Sequence, residues 1–134
     1  MSKILWKERL GWTDEHIEDL RYTGFSYIRQ GKYDIALSFF EALIILDPNS
    51  SYDLQTLGAI YLQINQHNKA LEYFDRALRL KGTDQGAVLL NLAKTFFSLE
   101  KKAEGMKILQ QLKKHSNKEI ANQAKALLLA YLPK

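Results

Sequence analysis

The chain has 134 residues, no cysteine and a formal net charge of +4. That length fits one domain, and the missing thiols exclude disulfides, thiol catalysis and thiolate metal sites. The mild, dispersed positive charge lacks the dense, aromatic-interleaved patch that nucleic-acid binding needs, and no segment approaches the run of roughly 18 apolar residues that spans a bilayer.

Residues 1–12 read as a short leader. Met1-Ser2-Lys3-Ile4-Leu5-Trp6-Lys7-Glu8-Arg9 has no long apolar core and no small-residue cleavage site, so it does not read as a signal peptide. A cytoplasmic protein is the default expectation. Ile4, Leu5, Trp6, Leu10 and Trp12 are many apolar residues for an exposed arm. Trp6 and Leu10 stand four apart and share a helical face. Leu5, Trp6, Leu10 and Trp12 either pack on the following helices, the preferred reading, or mediate self-association.

Thr13, with Asp14 and Glu15 behind it, is a helix start: a hydroxyl cap, then acids at the positive end of the helix dipole. Residues 17–50 carry Leu20-x2-Thr23-Gly24-x2-Tyr27, a turn at Gly31, then Ala36-x3-Phe40-x2-Leu43-x4-Pro48. Residues 51–85 repeat the frame as Leu54-x2-Leu57-Gly58-x2-Tyr61, a turn at Asn65-Gln66-His67-Asn68, then Ala70-x3-Phe74-x2-Ala77. Gly24 to Gly58, Tyr27 to Tyr61, Ala36 to Ala70 and Phe40 to Phe74 are each 34 residues apart. Residues 86–119 hold a worn copy, Leu89-x2-Leu92-Ala93-x2-Phe96, then Gly105-x3-Leu109-x2-Leu112, displaced by one residue near Gly82 and Gly86. A period of this size predicts stacked helical hairpins. In residues 120–132, Ile120, Ala121, Ala124, Leu127, Leu128, Tyr131 and Leu132 share a helical face and are expected to seal the open end. The two prolines, Pro48 and Pro133, fall at helix boundaries.

Small residues at Gly24, Gly58 and Ala93, and at Ala36, Ala70 and Gly105, let the two helices of each hairpin approach. Tyr27, Tyr61 and Phe96, with Phe40, Phe74 and Leu109, are the expected filling. Lys101-Lys102 and Lys113-Lys114-His115 read as solvated helix ends. His16, His67 and His115 lie in different units with no second ligand at metal spacing, so no metal is expected. The acids Asp14, Glu15, Glu18 and Asp19 suit a first helical turn. No glycine-rich phosphate loop is present, and the serines lack a triad arrangement. The expectation is a protein that is not an enzyme and has no cofactor.

These motifs resemble the tetratricopeptide repeat over residues 17–119. The resemblance implies an all-α fold. Three tetratricopeptide helical hairpins would stack in a right-handed superhelical array, with a C-terminal capping helix and a short N-terminal leader, all in one domain over residues 1–134. A narrower likeness rests on Tyr27-x3-Gly31-Lys32-Tyr33-x2-Ala36-x3-Phe40-x-Ala42-Leu43-x2-Leu46-Asp47 and Leu57-Gly58-Ala59. That stretch is similar to the type III secretion chaperones of the SycD/LcrH class, and the layout also resembles the related needle-subunit chaperones. Such proteins hold an aggregation-prone secreted subunit, a translocator or needle protein, in a concave groove before export. This chain is shorter, has a briefer leader and is basic where many of that class are acidic.

In a tetratricopeptide fold the first helix of each hairpin lines the concave side. The expected groove residues are Arg21, Tyr22, Phe25, Ile28 and Arg29 from the first unit, and Tyr52, Gln55, Ala59, Leu62 and Gln63 from the second. Leu90, Asn91, Lys94 and Phe97 come from the third. This apolar set with a few amides and cations suits a protein partner's helical or extended segment. The competing reading has the leader or last helix covering Phe25, Leu62 and Phe97, with Tyr22 and Ile28 partly in the core. The clamp that co-chaperones use for acidic heat-shock tails is not rebuilt, because Phe25 and Ala59 stand where it needs an amide or cation. A non-chaperone scaffold joining folded partners is the alternative function, and a homodimer or a heterocomplex stays open.

Overall fold

The computed structural model describes residues 5–131. Ile4, Leu132 and Pro133, part of the leader, closing-helix and boundary expectations, lie outside them. Among the described residues the fold is all-helical, in the order α1 (Trp6–Arg9), α2 (Asp14–Arg29), α3 (Tyr33–Leu46), α4 (Ser51–Gln63), α5 (His67–Leu78), α6 (Gln85–Ser98), α7 (Lys102–Leu112) and α8 (Lys118–Tyr131).

The starts of α2, α4, α6 and α8 follow from side-chain caps. Thr13 accepts from the His16 N–H and the His16 ring accepts from the Thr13 N–H, a reciprocal box that opens α2. Ser50 caps α4 through the Asp53 N–H, Asp84 caps α6 through the Gly86 N–H, and Asn117 takes the Glu119 N–H at the start of α8. Each hairpin turns in one way. Gly31, Asn65 and Glu100 adopt φ of +73°, +64° and +61°. The next N–H, from Lys32, Gln66 and Lys101, reaches back to the carbonyl of Tyr27, Tyr61 and Phe96 at 2.9, 2.8 and 2.8 Å. The third turn uses a glutamate where its counterparts use glycine and asparagine, so the left-handed requirement is hidden there.

Helices pair as α2–α3, α4–α5 and α6–α7, and each hairpin stacks on the next through α3–α4 and α5–α6. The small residues explain how closely they cross. A Cβ on Gly58 would lie 2.5 Å from the Phe74 ring, and one on Gly24 would lie 2.9 Å from the Phe40 ring. Phe40, Phe74, Leu43, Leu57 and Val88 anchor one continuous core. Tyr61 and Leu109 are buried, whereas Tyr27 and Phe96 are half-buried and pack against that core.

The third hairpin exchanges the partners. Ala93 and Leu109 stand where the others have glycine and phenylalanine, so that crossing no longer admits a ring. Gly105 instead faces α6, and a Cβ there would lie 2.7 Å from the Phe97 ring. Phe97 therefore fills the space, one position beyond the expected Phe96. Helix α8 packs on α7 and α6 and buries Ile120, Ala124 and Leu128 with Leu90, Phe97, Leu109 and Leu112 in a second cluster.

Candidate functional site

A trough runs along the first helices α2, α4 and α6. It consists of two hollows, of about 630 and 390 Å³. Phe25 and Tyr52 line both, so the hollows adjoin there. The α2 end also has Glu18, Asp19, Arg21, Tyr22 and Ser50, and the other end has Ile28, Tyr33, Gln55, Ala59, Gln63 and Asn91 among its walls. Tyr22, Phe25 and Tyr52 are exposed at 71%, 40% and 49%. Side chains at i, i+3 and i+4 on one helix share a face, which places Tyr22 beside Phe25 and Gln55 beside Ala59.

Nine of the fourteen expected groove residues line the trough: Arg21, Tyr22, Phe25, Ile28, Tyr52, Gln55, Ala59, Gln63 and Asn91. Arg29 stands at its edge, with its guanidinium over the Phe25 ring at 5.5 Å. Leu62 turns inward and packs against the main core. Lys94 is half-buried and outside the trough lining.

Leu90 and Phe97 correct the sequence expectation. They are 4% and 8% exposed and belong to the second cluster. Helix α8 covers the face of α6 that a following unit would cover, which removes Leu90 from solvent. Phe97 is held between the gap at Gly105 and the Tyr131 ring, stacked at 3.8 Å with planes 3° apart. The last helix thus covers the third unit, and Phe25 stays open.

Arg21, one of the expected groove cations, is engaged within the chain. Its Nε and Nη2 donate to the two carboxylate oxygens of Asp53 at 2.7 Å each, and it pairs further with Asp47 at 3.3 Å and with Glu18. Asp53 is fully buried in the first turn of α4, where the helix dipole favours an anion. The hydrogen bond to Asp53 holds the Arg21 guanidinium above its ordinary pKa. The wall residues Glu18, Asp19, Ser50, Tyr33, Thr56 and Ile60 were missed. Ser50-x2-Asp53 has the spacing of a capping box, which could have placed Asp53 at a helix start. Nothing local marks it as buried or as the partner of Arg21.

The leader divides. Trp12 packs against the core, with its ring edge-on to His16 at 5.8 Å. Leu5, Trp6 and Leu10 remain exposed, although α1 lies against α3. No group of His, Asp or Glu among the described residues gathers in a way that could hold a metal ion. No helix among them is long and apolar enough to cross a membrane.

Comparison with known proteins places this architecture. The family described as "Anaphase-promoting complex, cyclosome, subunit 3" matches residues 29–112. Anaphase-promoting complex subunit 3 of Schizosaccharomyces pombe is 30% identical over 114 residues, which cover 84% of this chain. The chain spans 17% of the length of that relative. Among solved structures, the type III secretion translocator chaperone SycD of Yersinia enterocolitica superposes with a TM-score of 0.83 at 21% identity, covering 97% of this chain and 99% of SycD. PcrH, crystallised with the chaperone-binding region of PopD, gives a TM-score of 0.80 at 21% identity, covering 90% of this chain and 93% of PcrH. At these identities the likeness establishes the fold, an all-α tetratricopeptide array. By the match over residues 29–112, the chain belongs to the anaphase-promoting complex subunit 3 family of tetratricopeptide-repeat proteins.

Proposed function

From that membership and the geometry of the trough, we propose that the chain binds an extended or helical segment of another protein along α2, α4 and α6. The observation that carries this reading is that the two hollows adjoin at the exposed rings of Phe25 and Tyr52. Aromatic faces open to solvent along a concave strip favour apolar side chains of a partner, and the amides of Gln55, Gln63 and Asn91 fix its register. The reading assigns no catalysis and no cofactor.

The finer reading is a cytoplasmic chaperone that shields an aggregation-prone secreted subunit, a translocator or needle protein, until export. It is supported by a layout shared with SycD and PcrH over nearly their whole lengths, and by the crystallisation of PcrH with a segment of its partner. The second reading is a scaffold joining folded partners, and the name of the fission-yeast relative as a subunit of a complex favours it.

Co-expression with small secreted candidates, followed by affinity purification and mass spectrometry, separates the two. A chaperone recovers a protein that is insoluble alone. Phe25→Glu with Tyr52→Glu should weaken that complex by about 2 kcal/mol or more while the far-ultraviolet circular dichroism stays unchanged. A complex indifferent to both substitutions would remove the trough from the binding site, and recovery of folded, soluble partners alone would favour the scaffold.

A further inference from the structure

We propose a second docking surface, in the cleft between α1 and the C-terminal ends of α3 and α5, for a partner segment that sets an aliphatic side chain beside side-chain carboxylates. The cleft measures about 600 Å³ and is lined by Leu5, Ile45, Pro48, Leu54 and Leu80, with Arg76 and Arg79 as its charged groups. Its walls come mainly from the ends of α3 and α5, with Leu54 from α4, and those of the trough mainly from α2 and α4, with Tyr33 from α3 and Asn91 from α6. The two sites share no lining residue.

The apolar part is unusually open. Ile45 is 57% exposed and Leu5 37%, above a floor formed by the buried Leu54. Trp6 and Leu10 of the leader are exposed as well, at 43% and 55%. A contiguous apolar patch of this kind, rimmed by polar groups, marks a contact surface.

Charge selects the occupant. Both charged groups of the lining are guanidiniums, which take carboxylates through paired, parallel hydrogen bonds. The Arg76 guanidinium rests over the Tyr73 ring at 5.2 Å, which restricts the orientation of its fork. Arg79 pairs with Asp75 one helical turn away, with the side chains 75% and 55% exposed. Such an exposed pair contributes little to stability, so a carboxylate that arrives with an apolar anchor and sheds water can displace Asp75. A basic segment would meet two like charges beside its anchor. The occupant that satisfies both features is an acidic, aliphatic-bearing segment of a protein partner.

The test is a display library of random dodecapeptides selected on the full chain. Parallel selections use Ile45→Asp, Phe25→Glu and Arg76→Gln with Arg79→Gln, all surface changes whose folding is checked by circular dichroism. Peptides with an aliphatic residue next to Asp or Glu should be enriched on the wild type and on Phe25→Glu. They should be lost on the other two variants, with affinities lower by about tenfold. Absence of this class, or its persistence on the glutamine variant, overturns the proposal. Loss of the class on Phe25→Glu would place those peptides in the trough and also overturn it. A concentration-dependent dimer in sedimentation, dissolved by Ile45→Asp, would assign the cleft to a second copy of the chain instead.

Discussion

Arg21 ties α2 to the loop and the first turn of the next hairpin, through Asp47 and Asp53. The bidentate contact with a fully buried carboxylate makes it a structural joint that also walls the trough. A buried ion pair adds little net stability over an apolar pair of similar shape, but removing one partner strands a charge in low dielectric. Arg21→Met should therefore cost about 3–5 kcal/mol, read by urea denaturation. Arg21→Met combined with Asp53→Leu should recover most of that loss. Additive losses in the double variant would show that the two side chains are not coupled. The sequence contained both residues, but their pairing joins positions 32 residues apart, and no local pattern reports it. Gly24 and Gly58 were legible as close-approach points because their partners Phe40 and Phe74 recur at the same offset.

At the scale of elements, α3, α4 and α5 are linked by a polar string within the stack. The Tyr61 hydroxyl donates to Glu41 at 2.8 Å, and its ring stacks on Tyr73 at 5.5 Å. Burial first, and the hydrogen bond to Glu41 second, push Tyr61 above the ordinary tyrosine range; burial does the same for Tyr73. Above about pH 10 the unfolded chain loses these protons while the folded chain keeps them. The folded state then binds more protons, and stability falls as pH rises. Below that pH the contribution is fully present. The urea midpoint should decline above about pH 10, and Tyr61→Phe should make the decline shallower. An identical slope in the variant would remove Tyr61 from the effect. Helix periods and two of the three turns were readable because glycine and asparagine announce left-handed backbone. The third was not, because Glu100 carries no such signal and is held by the hydrogen bond from Lys101 to Phe96.

At the scale of the molecule, the described residues form two apolar clusters, and α8 contributes to the second. Deleting residues 118–134 would uncover Leu90, Phe97 and Leu112. In a stacked array each unit is stabilised mainly by its neighbours. Amide-exchange protection should therefore collapse in α6 and α7 and persist in α2 to α5. Uniform loss of protection would mean that the stack behaves as one cooperative unit. The same arrangement separates the open trough from the cleft, which shares none of its lining residues, and leaves the trough uncovered at Phe25 and Tyr52.

The amino-acid sequence by itself determined the all-helical repeat architecture, the small-residue crossings and the capping at Thr13. Each of these is a local or periodic property that recurs in the chain. It also brought most of the trough to one side, since positions on a repeated helix inherit a repeated face. Tertiary structure alone decided that Phe97 and Leu90 are core, because the space at Gly105 and the placement of α8 are set by packing between units. It decided that Arg21 is neutralised, because its partner lies on another helix. The cleft at Ile45 gathers Leu5 before α1, the ends of α3 and α5, the turn at Pro48 and Leu54 of α4, and no periodicity within one element encodes such a junction.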